Sequence, residues 1–145
     1  MTKASKFSLI ALAYGASLAC AAPSVAAMID LKADLKASNE VPPNESTGAG
    51  SVAATFDTDS NKLSWKGTVS GLSGPVTAAH FHAAEAGRNG AVAVAIIGAD
   101  KGSFEGSATL TNAQAEELTA GKWYVNVHTA ANKGGEIRGQ LTGGK

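Results

Sequence analysis

Trp123-Tyr124-Val125-Asn126-Val127-His128-Thr129 is the stretch that decides the fold. Trp123, Val125, Val127 and Thr129 share one parity, and Tyr124, Asn126 and His128 share the other. A period of two in β-branched and aromatic residues marks a strand with two distinct faces. The first set is apolar and fits a core. The second is a polar face carrying a phenol, an amide and an imidazole.

Working outward, the same period recurs. Ala79-His80-Phe81-His82 places Phe81 on the core side and both histidines on the polar side. Met28 to Lys36, Gly50 to Phe56, Leu63 to Val69, Ala91 to Ile97 and Ser103 to Leu110 read as further strands, with Ala91 to Ile97 buried. Asp57 to Asn61 and Gly71 to Pro75 break the chain between them, and Val41-Pro42-Pro43 excludes a central strand there. Arg88-Asn89-Gly90 reads as a tight hairpin turn, because Asn-Gly tolerates positive φ. Thr111 and Gln114 form a capping box that opens a short helix over Ala113 to Leu118, ending near Gly121. After the turn Lys133-Gly134-Gly135, a last strand runs from Glu136 to Thr142 and pairs with the strand of His128. The expectation is an all-β, Greek-key-like antiparallel sandwich of about eight strands with one short helical connection.

Residues 1–27 read as an export signal: Lys3 and Lys6, an apolar run from Phe7 to Ala22, then small residues at Val25-Ala26-Ala27. The run is short for a membrane span and lacks a basic stop-transfer flank. Cleavage after Ala27 is preferred over lipid attachment at Cys20, whose lipobox spacing is off by one residue. The expected product is one domain, Met28 to Lys145, in the periplasm or secreted. Cys20 is the only cysteine, so that domain has no disulfide and no thiolate ligand. Without Lys3 and Lys6 it carries 10 basic against 12 acidic residues, and no basic patch points to nucleic acid.

The chain's three histidines, His80, His82 and His128, are the chemical signal. Residues two apart on a strand project from one face, about 6.6 Å apart along it. Two imidazoles there and a third from a neighbouring strand make a trigonal or T-shaped ligand set. Nitrogen donors without sulfur suit copper or zinc ahead of iron or nickel. Tyr124, Asn126, Glu136 and Arg138 share the polar parity and are candidates to orient those ligands. The competing reading is a structural histidine cluster in an extracellular interaction module. No phosphate loop, nucleophile elbow or complete EF-hand occurs. Asn44-Glu45-Ser46 has the form of a glycosylation sequon.

Four blocks carry a resemblance: Asn39-Glu40-Val41-Pro42-Pro43, Ala79-His80-Phe81-His82, Tyr124 to Thr129 and Gly135-Glu136-Ile137-Arg138-Gly139-Gln140-Leu141. Together they resemble the CHRD domain, named after chordin, an antagonist of bone morphogenetic proteins, and found in many exported bacterial proteins. The resemblance implies an extracellular or periplasmic β-domain. It implies no settled activity, and growth-factor antagonism does not carry over, because in chordin it belongs to cysteine-rich modules that this chain lacks. A weaker similarity is to copper-zinc superoxide dismutase, where an H-x-H strand and a later histidine hold copper. Here the bridging histidine, the zinc loop and the cysteine pair are missing, so only the copper half-site carries over. Metal binding, storage or delivery is therefore expected ahead of turnover, with a dismutase-like redox activity as a lesser alternative. The protein partner stays unassigned.

Overall fold

The computed structural model describes residues 26–143; Cys20 and most of the expected signal segment lie outside them. Among the described residues nine strands form: β1 (Met28–Lys36), β2 (Ala49–Asp57), β3 (Lys62–Ser70), β4 (Val76–Ala83), β5 (Ala91–Ala95), β6 (Ser103–Thr109), β7 (Trp123–Thr129), β8 (Ile137–Gln140) and β9 (Thr142–Gly143). One helix, α1 (Asn112–Thr119), joins β6 to β7. The capping box at its start is formed, with Thr111 Oγ1 accepting from Gln114 N and Gln114 Oε1 accepting from Thr111 N.

The strands order as β5-β4-β7-β8-β1-β2-β3-β6, all antiparallel, with β9 alongside β1. Successive strands β3 and β4 lie far apart in this order, yet Trp65 of β3 meets Phe81 of β4 edge-on at 5.0 Å. The sheet therefore curls until its two halves face each other, a nearly closed barrel or sandwich with Greek-key-like crossings. Strand alternation explains the core: Leu31, Ala33 and Leu35 of β1 and Val52, Ala54 and Phe56 of β2 are all buried. From the other half, Phe81, Trp123, Val125, Val127 and Ile137 reach 0% exposure.

Two local expectations are corrected. Asn89-Gly90 makes no tight turn; the chain turns earlier, at Ala86-Gly87, where Gly87 has φ +77° and Arg88 N donates to Glu85 O. Residue 90 is a glycine for a different reason. A Cβ there would lie 1.9 Å from Ala83 O, so only glycine permits this close approach between the ends of β4 and β5. The second concerns β5, which is an edge strand rather than a buried one. Ala91, Val92 and Ala95 are exposed, because among the described residues no strand covers its far side, although Gln114 of α1 reaches Ala93 O.

Candidate metal centre

The polar face of β4, β7 and β8 is not open to water. The segment after β1, the 84–90 loop and the turn before β8 pack over it, leaving Tyr124, Asn126 and Arg138 only 2%, 3% and 2% exposed. His80 and His82 stand opposite Asn126 and Tyr124 in the β4–β7 register, and His128 stands opposite Ala78. The pairing places all three imidazoles together, with one ligand nitrogen from each within 4.8 Å of the others.

Backbone carbonyls fix which nitrogens are available. His82 Nδ1 lies 2.9 Å from Gly90 O, and His128 Nδ1 lies 2.9 Å from Lys133 O. A carbonyl only accepts, so each Nδ1 carries the proton and each Nε2 keeps its lone pair. His80 Nδ1 sits 3.3 Å from His128 Nε2. That spacing matches the edge of a tetrahedron of nitrogens about 2.0–2.1 Å from a shared centre. His82 Nε2 is buried and has no hydrogen-bond partner. An imidazole lone pair stripped of water and left without a donor is costly unless an ion takes it. The donor set thus fits a transition metal, through His80 Nδ1, His82 Nε2 and His128 Nε2, once side-chain rotation closes the wider nitrogen separations, which reach up to 4.8 Å.

Electrostatics favour the neutral imidazoles that coordination requires. Burial lowers the pKa of His80, reinforced by His128 and His82. Burial also lowers that of His82 and outweighs the Gly90 carbonyl, which acts in the other direction. His82 is buried and forms the floor of the trio. His80 and His128 are half-buried and line a cleft of about 420 Å³ together with Thr77, Ala78 and Lys133.

The candidate orienting residues divide. Tyr124 stacks on His82 at 4.8 Å with the rings 4° from parallel, and its hydroxyl accepts from Gly90 N at 3.2 Å. Arg138 Cζ lies 3.5 Å from the Tyr124 ring centroid, arriving from β8 while His82 arrives from β4. Its guanidinium also donates to Arg88 O at 2.6 Å and Asn89 Oδ1 at 2.9 Å. Arg138 therefore braces His82 twice, through Tyr124 and through the loop that carries Gly90. Asn126 Nδ2 donates to Gly134 O at 3.4 Å, beside the Lys133 carbonyl that holds His128.

Glu136 is the exception, and its expected place beside the histidines is corrected. It precedes β8, and its carboxylate accepts from Ser46 Oγ at 2.6 Å, Ser73 N at 2.7 Å, Ser73 Oγ at 2.6 Å and Thr129 Oγ1 at 2.5 Å. Thr129 belongs to the core parity of β7, so Glu136 caps the core end and neither touches the imidazoles nor pairs with Arg138. Burial alone would raise its pKa, but these four donors bring it down to about 2. The Asn44 side chain is also committed, donating to Gly135 O and Glu136 O, which removes it from glycosylation in the folded chain.

Glu40 is the residue that sequence reasoning passed over. It follows the 3₁₀ turn Ala37–Asn39, is 5% exposed, and has one carboxyl oxygen, Oε1, without a partner. Burial pushes its pKa up to about 7, against the lowering effects of Arg138, Asn126 and the Val41 N–H. The available signals were a lone acidic residue before Val41-Pro42-Pro43 and its place in the Asn39 to Pro43 block that carries the family resemblance.

Comparison with curated proteins and with solved structures yields no match. The family comparison does: the CHRD domain matches residues 31–141, from β1 through the end of β8 and spanning every histidine, and the chain belongs to the CHRD domain family.

Proposed function

We propose that this chain is an exported CHRD-domain protein that holds copper through His80, His82 and His128, for binding, storage or delivery. The observation that carries the reading is the pair of backbone carbonyls, Gly90 O and Lys133 O, which hold two imidazoles with their lone pairs turned toward the third. His80 Nδ1 and His128 Nε2 lie within hydrogen-bond reach of each other, as in a structural cluster, whereas His82 Nε2 stays unpaired, as an open ligand would. Copper is favoured over zinc because a nitrogen-only set binds Cu(II) more tightly in the general order of divalent metals. Bound copper would supply a one-electron couple and an exchangeable coordination position. The protein's own part is to fix the tautomers of His82 and His128, favour the neutral form of His80 and His82, and shield His82 from water.

Titration of the protein with Cu(II), Cu(I) and Zn(II), beside a His80→Ala/His128→Ala variant, tests this. The expected result is one copper per chain, lost in the variant, with zinc held more weakly. Failure of the wild type to bind any of the three ions would leave the interaction-module reading in its place.

A further inference from the structure

We propose that Glu40 sets the charge selectivity of the histidine centre, its carboxylate balancing a doubly charged ion and so favouring Cu(II) over Cu(I). The proposal rests on the metal reading above and names a residue outside the ligand set that shapes which ion is held.

Glu40 lies one side chain from the ligands. Its Oε1 and Asn126 Nδ2 flank Gly135, where a Cβ would come within 2.4 Å of the first and 2.7 Å of the second. Gly135, at φ +133°, is the residue that leaves room for both. Asn126 in turn stands opposite His80 in the strand register, and its amide influences His82 as well as Glu40. Glu40 Oε1, Asn126 Oδ1 and His82 Nε2 are all buried without a partner, so this layer has unused capacity for charge beneath the imidazoles.

The carboxyl is also free to respond. Arg138 faces it from β8, but that guanidinium is committed to Arg88 O, Asn89 Oδ1 and the Tyr124 ring. Among the described residues the ion pair within 4.0 Å is Lys122–Glu85, not Glu40–Arg138. Asn126 from β7 does not titrate, and His82 from β4 lies beyond it. Glu40 lines a cleft of about 370 Å³ with Ser38, Asn39, Val41, Ala86, Gly87 and Gln140, and Arg138 is the one other charged residue on its wall. When the site is empty, burial keeps a share of the carboxyl protonated near neutral pH. A doubly charged ion behind Asn126 draws the proton off to solvent, and a singly charged ion does so less. In a partly buried setting one unit of charge at this remove is worth on the order of tenfold in affinity.

The test compares wild type with Glu40→Gln, using Cu(II) and Cu(I) competition titrations at pH 5.5 and pH 8, and proton release on loading at pH 7. At pH 8 the variant is expected to lose about tenfold in Cu(II) affinity and about threefold in Cu(I). At pH 5.5 the two proteins should bind Cu(II) nearly alike. Wild type should release a fraction of a proton more per Cu(II) than the variant, and that measurement on wild type with each ion stands even if the variant folds poorly. Equal losses for both ions, or a loss independent of pH, would make Glu40 a structural residue and overturn the proposal while leaving the metal site intact. Absence of histidine-dependent binding in wild type would overturn both.

Discussion

Glu136 and Glu40 are two buried glutamates on either side of the β7–β8 pair, and they are held in opposite ways. Glu136 is fully buried, yet four donors surround its carboxylate and keep it charged to about pH 2. Glu40 is 5% exposed, has one oxygen without a partner, and titrates near pH 7. Burial raises both pKa values, and the supply of donors decides whether it is offset. Hydroxyls and amides aimed at a carboxylate replace the water it loses, and a neighbouring guanidinium already engaged elsewhere does not. The first arrangement stabilises the fold. The second stores a titratable group beside the histidines at a cost to stability, which is the pattern of a functional site.

The largest effect should come from breaking the Glu136 cap. Glu136→Ala leaves Ser46, Ser73 and Thr129 without their acceptor, and should cost about 3–5 kcal/mol in urea unfolding at pH 7. The pH dependence follows from the same donors. A folded pKa of about 2 against an ordinary 4.5 gives stability that is present above pH 4.5 and lost as pH falls toward 2, about 3 kcal/mol in all. A midpoint for Glu136→Ala within 1 kcal/mol of wild type would show that the hydroxyls find other partners and that the contrast is not one of donor supply.

Glu40 should behave in the reverse sense. Its folded pKa is raised, so its contribution is most favourable below pH 4.5 and diminishes as pH rises to about 7. Glu40→Gln should therefore be more stable than wild type by about 3 kcal/mol at pH 8 and indistinguishable from it at pH 4. The same variant is expected to hold Cu(II) less well, so stability and ion selectivity would move in opposite directions. A Glu40→Gln protein that is less stable than wild type at pH 8 would mean that the carboxylate is better solvated than its burial implies.

These two residues also mark how far the sequence could be read. Strand alternation is local: Trp123, Val125 and Val127 had to face one way and Asn126 and His128 the other, and the sheet followed. The histidine trio was legible because His-x-His fixes two ligands on one face and a third strand histidine had the same polar parity. What closes over that face was not legible. Glu40 meets Asn126 and Gly135, and Asn89 meets Arg138, only through long-range packing that no local period encodes. Gly90 was misread for the same reason. Its constraint is the carbonyl of Ala83 across the end of β4, not its own φ. Glu136 was assigned to the wrong face because parity was carried through a residue that precedes the strand and turns the other way.

The smallest effect separates stacking from hydrogen bonding on the Glu40 side. Tyr124 touches His82 by ring overlap and Gly90 by its hydroxyl. Tyr124→Phe removes the Gly90 N–H acceptor and keeps the ring between His82 and Arg138. It should cost about 0.5–1 kcal/mol in stability and change copper affinity less than threefold. Tyr124→Leu removes the flat surface as well, freeing His82 to rotate about its Gly90 bond, and should weaken copper binding further than Tyr124→Phe does. If the two variants bind copper alike, the carbonyls of Gly90 and Lys133 orient the ligands unaided. The Arg138–Tyr124 stack would then serve the fold as Glu136 does, and Glu40 alone would distinguish this face from the core end.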